Sequence, residues 1–188
     1  MLAQAITKVT AQEYLLTERA SAIKHEFIDG EVFAMAGASK KHNQIASNLV
    51  RIIGNQILHK PCSIYSSDMR VKIEKANKYA YPDIVITCEN EDFEDKEEDT
   101  LLNPIIIIEI LSDSTESYDR GNKFFYYRQI DSFIEYILVS QKKFHIEKYT
   151  RQTNNSWLYS EFNIIDAQFE LSLISCTISL QEVYDKVK

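Results

Sequence analysis

Apolar residues recur along this chain with two periods. Between residues 39 and 59, Ile45, Leu49, Ile52, Ile53 and Ile57 follow the spacing of one helical face, which His42 continues at its N-terminal end. That spacing predicts a long amphipathic helix. Over residues 64–74 the period is two, with Tyr65, Ser67, Met69, Val71 and Ile73 on one side and Ser66, Asp68, Arg70 and Lys72 on the other. Alternation of this kind predicts one half-buried strand. Residues 79–87 and 104–112 predict two more strands. The second, PIIIIEILS, is apolar on both faces, so it should be central and covered by helices. A helix is expected from about residue 114 to 130, a strand pair at 134–140 and 143–150, and further strands at 157–162 and 169–174.

Local signals sharpen these elements. Thr10 with Glu13 forms a capping box that opens a short N-terminal helix, and Ser179 with Glu182 offers another for a terminal helix carrying Leu180, Val183, Tyr184 and Val187. Asp29-Gly30 between apolar-rich segments is a hairpin signal, with Glu31 beginning the second strand. The expected fold is α/β, a central mixed β-sheet flanked by helices, with an N-terminal helix and β-hairpin. At about 150 residues per domain, a chain of 188 residues is expected to be a single domain spanning 1–188.

Composition changes this picture little. Hydrophobic residues are 45% and charged residues 26%, which argues against disorder. The net charge of −7 is concentrated in residues 89–99, ENEDFEDKEED, whose eight acids and one lysine leave 20 acids and 20 basic residues elsewhere. We read that stretch as a solvated, mobile loop. With a neutral body, contact with a polyanion requires a local groove of Lys and Arg, for which Lys40, Lys41, Arg70 and Arg120 are candidates. Cys62, Cys88 and Cys176 show no C-x-x-C spacing, so neither a disulfide framework nor a thiolate zinc site is expected, and a reducing cytoplasm is the default location. Residues 1–10 lack an export signal and no apolar run is long enough to span a membrane.

Three residues break their local pattern. Glu109 lies inside the apolar strand with no local partner, and a buried ionised carboxylate must be protonated, salt-bridged or bound to a metal. Asp83 follows Pro82 at the entry to a β-prone segment. If the two strands are neighbours, the acids form a like-charge pair that calls for a cation, and oxygen ligands favour a hard ion such as Mg²⁺. Lys123 stands four residues after Asp119 and shares its stripe with Tyr126, Tyr127 and Ile130. Such a pair reads as a surface ion pair by itself, and as fixed positive charge beside a metal site once Glu109 is considered.

The order Pro82-Asp83, Glu109 in an apolar strand, then Lys123 on the next helix resembles the PD-(D/E)XK nuclease superfamily. More narrowly, NPIIIIEILSDSTESYDRGNKFFYYRQIDSFIEYILVS, with EFIDGEV and His42 before it, is similar to the Uma-type restriction-endonuclease family abundant in cyanobacteria. The resemblance implies a restriction-endonuclease-like fold and Mg²⁺-dependent hydrolysis of DNA, with Mn²⁺ able to substitute and no organic cofactor. It also implies a homodimer. Asp83 and Glu109 would hold the metal, with Lys123 as the third catalytic residue; Glu31, His42, Asp68 and Asp119 would be accessory. One departure stands out, because the superfamily's usual lysine position, two residues after the glutamate, is Leu111. Its absence leaves two readings, relocation of the amine to Lys123 or an inactive module that binds nucleic acid or protein. No G-x-S-x-G, G-x-x-x-x-G-K or G-x-G-x-x-G occurs, and no aromatic sugar platform can be assigned.

Overall fold

The computed structural model describes residues 8–188, so the reading of residues 1–10 as lacking a leader falls largely outside the described residues. The N-terminal helix α1 spans Ala11–Ala20 and opens with both bonds of the Thr10–Glu13 capping box. Strands β1 (His25–Ile28) and β2 (Glu31–Ala34) form the expected hairpin, and positive φ angles at Asp29 and Gly30 make its two-residue turn. Helix α2, Lys40–Ile57, follows, capped by the Ser39 side chain.

The alternating stretch 64–74 is two strands, not one. β3 (Cys62–Ser66) and β4 (Arg70–Ile73) are parted by a turn at Ser67-Asp68 and belong to different sheets. Parity carries on through that turn, which is why the alternation hides it. The same correction applies to 79–87, where β5 (Lys78–Ala80) ends before Pro82 and β6 (Ile84–Cys88) starts after Asp83 in the other sheet. Pro82 lacks a ladder donor, so the chain crosses between sheets there.

The remaining strands are β7 (Thr100–Leu101), β8 (Ile106–Leu111), β9 (Glu135–Ser140), β10 (Ile146–Arg151), β11 (Trp157–Phe162), β12 (Gln168–Leu171) and β13 (Cys176–Ser179). One sheet has the order β2-β1-β5-β4-β7, the larger has β11-β10-β9-β8-β6-β3, and β12-β13 is a small hairpin. As expected, β8 is central, antiparallel to β6 and parallel to β9. Its Ile106, Ile108 and Ile110 pack with α2 through Ile45, Leu49, Ile52, Ile53 and Ile57. Its other face, with Ile107 and Leu111, packs against Val71 and Ile73 of β4 and against Tyr127, Tyr136 and Leu138. Glu109 lies on this second face, between the two sheets.

Three further expectations are corrected. Cys62 and Cys88 face each other in the β3–β6 register and are joined as a disulfide, a pairing that their separation of 26 residues concealed. The acidic stretch 89–99 is tied down: Arg19 bonds Asp95 and Asp99, Arg70 bonds Asp99, and Lys72 and the Tyr79 hydroxyl both reach Glu94. At the C-terminus the helix is the single turn Leu180–Val183, and Ser179 makes no side-chain cap.

Candidate active site

Glu109 and Asp83 meet because β6 and β8 are antiparallel neighbours in the register Ile84↔Ile108, which sets the two acids opposite each other one step further on. Main-chain bonds lock the pair reciprocally. The Asp83 N–H donates to Glu109 Oε2 at 3.3 Å, and the Ile110 N–H donates to Asp83 Oδ2 at 2.7 Å.

Lys123 arrives from the helix after β8. That helix begins as one α turn, Glu116–Tyr118, widens into a π turn at Asp119–Lys123, and closes with Phe124–Tyr127. Asp119 and Lys123 are both buried in the π turn, an irregularity frequent at functional sites. Lys123 Nζ lies 2.9 Å from Glu109 Oε1, 3.4 Å from Glu26 Oε1 and 3.8 Å from Asp119 Oδ1, and donates to the Tyr81 carbonyl at 3.4 Å. The Tyr127 hydroxyl donates to Glu109 Oε1 at 3.1 Å.

Glu26 and Lys78 enter this cluster although nothing local in the sequence marks them. Glu26, on β1, accepts from Lys78 Nζ at 3.0 Å and from the Tyr118 hydroxyl at 2.8 Å. Lys78, on β5, is fully buried. Only parity held a clue: it sets Glu26 on the strand face opposite Phe27, which packs with Tyr14 and Tyr79 in a separate small core. His42 reaches the cluster from α2, its Nε2 3.0 Å from Asp83 Oδ2, while its buried Nδ1 has no partner among the described residues.

Glu31 and Asp68 stay apart. Glu31 is exposed on β2, and Asp68 sits in the β3–β4 turn, exposed and paired with Lys24 at 2.5 Å. Two candidate DNA-binding arginines are also committed elsewhere: Arg70 is buried against Asp99, Thr100 and Tyr81, and Arg120 is paired with Glu116 and Glu147. Leu111 is buried in the apolar face described above.

The electrostatics follow from burial. Burial pushes the Glu109 carboxyl well above its usual range; Asp119 and Asp83 push it the same way, and Lys123 opposes them. Asp119 is raised mainly by burial. Burial alone would depress Lys123, but Glu109, Glu26 and Asp119 outweigh it and hold the amine protonated, well above the usual lysine range. Glu26 is lowered: burial opposes that shift, and Lys123 and Lys78 overcome it. Lys78 is lowered by burial, with Glu26 resisting.

Counting the carboxylates and amines as ionised and the His42 imidazole as neutral, Asp83, Glu109, Glu26 and Asp119 face the ammonium groups Lys123 and Lys78, a formal excess of two negative charges. A divalent cation matches that excess. Among the described residues no group of three or more His, Cys, Asp or Glu side chains is arranged to hold a metal. A set of one or two carboxylates, completed by water and substrate phosphate, is typical of Mg²⁺, and Asp83 with Glu109 fits it. The side-chain exposures of 18% at Asp83 and 14% at His42, against 3% at Glu109 and 6% at Lys123, put the accessible edge at Asp83.

Fold and site together define a restriction-endonuclease-like α/β protein with a buried acid–lysine cluster between its two main sheets. The sequence model of the Uma2 family, described as "Putative restriction endonuclease", matches residues 11–180, and the chain belongs to that family. Two relatives come from Synechocystis. The uncharacterized protein sll1609 is 37% identical over 175 residues, 93% of this chain and 99% of its own length. The uncharacterized protein slr1290 is 33% identical over 177 residues, 94% and 92% of the two chains. The fold matches a crystal structure described as "a putative nuclease belonging to DUF820" from Anabaena variabilis, with a TM-score of 0.78, 16% identity, and coverage of 96% of this chain and 99% of that one.

Proposed function

We propose that this protein is a metal-dependent endonuclease that hydrolyses DNA phosphodiester bonds at the Asp83–Glu109–Lys123 cluster. The observation that carries the reading is the meeting of three residues remote in sequence: the Glu109 carboxylate accepting from the Asp83 N–H, the Asp83 carboxylate accepting from the Ile110 N–H, and an amine 2.9 Å from Glu109. Asp83 and Glu109 would hold Mg²⁺, or Mn²⁺ in its place. The ion, when bound, supplies Lewis acidity at the scissile phosphate.

The chain's own residues do the rest. Lys123 stays protonated among Glu109, Glu26 and Asp119, so it acts as fixed positive charge and not as a base. Such charge, preorganised in a dry site, stabilises the negative charge that develops on the phosphoryl oxygens as a water oxygen bonds to phosphorus and the P–O bond to the leaving sugar breaks. Glu26, fixed by Lys78 and Tyr118, holds the amine from its far side. His42 braces Asp83 at the accessible edge.

Plasmid cleavage in Mg²⁺ tests this directly. The wild-type protein nicks or linearises DNA, whereas Asp83→Ala, Glu109→Ala and Lys123→Ala lose about a hundredfold or more in rate. Equal activity in all four removes the assignment. One observation favours a second reading, an inactive nucleic-acid or protein binding module: the near-complete burial of Glu109 and Lys123 as a mutually satisfied ion pair. Under that reading, calorimetry shows DNA binding with no uptake of Mg²⁺ or Mn²⁺.

The homodimer implied by the family resemblance has a surface available. β2 is an edge strand, exposed along its whole length, with Val32 and Phe33 among its residues.

A further inference from the structure

Two lysine-bearing segments that flank the accessible edge are joined by hydrogen bonds. Ser39, which caps α2, donates from Oγ to Gln141 Oε1 at 2.6 Å, and Gln141 Nε2 donates to the Leu111 carbonyl at 2.8 Å. This link sets the first turn of α2, the β9–β10 turn and the end of β8 side by side. Lys40 and Lys41 follow Ser39, Lys142 and Lys143 follow Gln141, and all four are exposed. His42, next in sequence to Lys41, is the residue whose imidazole touches Asp83. Lys40 and Lys41 thus precede the residue that touches Asp83, and Lys142 and Lys143 lie on the turn linked to the same end of α2, so the four lysines lie on segments that flank that edge.

Two features bear on what these lysines do. Among the described residues Lys40, Lys41 and Lys143 make no ion pair, and Lys142 pairs only with the exposed Asp113 at 2.5 Å, in a chain of 28 acids and 21 basic residues. Lys40 and Lys41 also occupy the first turn of an 18-residue helix that has no acid there, where the helix dipole disfavours cations. A sequence that breaks a local stability rule without a local gain points to function. The acidic stretch 89–99 is held elsewhere, against α1, β4 and β5, so it does not screen this edge.

We infer that Lys40, Lys41, Lys142 and Lys143 form a phosphate-binding rim that seats duplex DNA across the Asp83 edge of the site. This deepens the nuclease reading and rests on it for the choice of partner. The four amines contact backbone phosphates and carry no sequence preference. The amide N–H groups that the first turn of α2 leaves without helical partners add to the same attraction.

The test is fluorescence anisotropy with a short labelled duplex of arbitrary sequence, in chelator so that no strand is cut, with salt varied over roughly 50 to 200 mM. Each neutralised phosphate contributes about 0.9 to the log–log salt slope. K40A/K41A and K142A/K143A should therefore each flatten the slope by about 1.8, and the quadruple variant by about 3.6. K75A/K96A, whose lysines lie off this edge, keeps the wild-type slope. K40E/K41E weakens DNA binding further, yet melts at or above the wild-type temperature because the helix dipole is relieved. Wild-type slope and affinity in either folded double variant overturns the rim, as does a wild-type protein that shows no salt-dependent duplex binding. The assay involves no cleavage, so a protein that binds through these lysines and never cuts DNA upholds the rim and removes only the nuclease.

Discussion

The burial of Glu109 fixes what Lys123 can be. An ammonium surrounded by three carboxylates in a dry site stays charged, so its removal strips an electrostatic partner from both the resting cluster and the reaction. Lys123→Arg should not restore activity, because a planar guanidinium cannot take a point charge's place between Glu109, Glu26 and the Tyr81 carbonyl. Residual cleavage by that variant close to the wild-type rate would contradict the geometry. Glu26 and Lys78 make a second residue-level prediction. Glu26→Leu leaves a fully buried ammonium without its carboxylate and should cost about 3–5 kcal/mol, whereas Glu26→Leu with Lys78→Leu should recover most of that loss. Urea melts of the two variants decide the matter, and a double variant no more stable than the single one would show that the pair is not coupled.

At the scale of elements, much of the architecture can be read from periodicity: α2, β8, the β1–β2 hairpin and the capping box of α1 all lie where the apolar spacing and turn residues put them. What periodicity could not reveal was the division into two sheets, because strand parity runs unbroken through Ser67-Asp68, and across Tyr81-Pro82-Asp83, where the inward residue switches from Ala80 to Val85, the chain is apolar on both faces and hides the switch. The acidic segment hides its anchoring for a related reason. Its composition is that of a solvated loop, but its anchors, Arg19, Arg70, Lys72 and Tyr79, lie far off in sequence. Asp99 is the main anchor point, and bonds to Arg19 and Arg70 hold its carboxyl well below the usual aspartate range. A depressed carboxyl stabilises the fold above its ordinary value of 3.8, and that contribution is lost as the pH falls below it. Asp99→Asn should therefore cost about 2 kcal/mol at neutral pH, with the difference from wild type shrinking in acid. Denaturant melts at both pH values check this, and a difference independent of pH would refute the anchoring.

For the whole molecule, the site was partly legible because its central residues violate their surroundings. A glutamate among isoleucines and an aspartate after a proline declare themselves, and the lysine gains meaning from them. Glu26 and Lys78 sit in strands too short to show an anomaly, and only the pairing of β1 with β5, in the register Ile28↔Lys78, brings them together. The exposed edge strand β2 makes a prediction at the same scale. Sedimentation should show a dimer that Phe33→Glu disperses, and a wild-type monomer at high concentration would exclude it. Side chains from the entry to β6, from β8 and from the π turn are proposed to gather around one divalent cation. A crystal soaked in Mn²⁺ and measured for anomalous scattering tests this: a single strong peak is expected between the Asp83 and Glu109 carboxylates with the Lys123 amine beside it, and no peak there, or an amine turned away to bulk water, would contradict it.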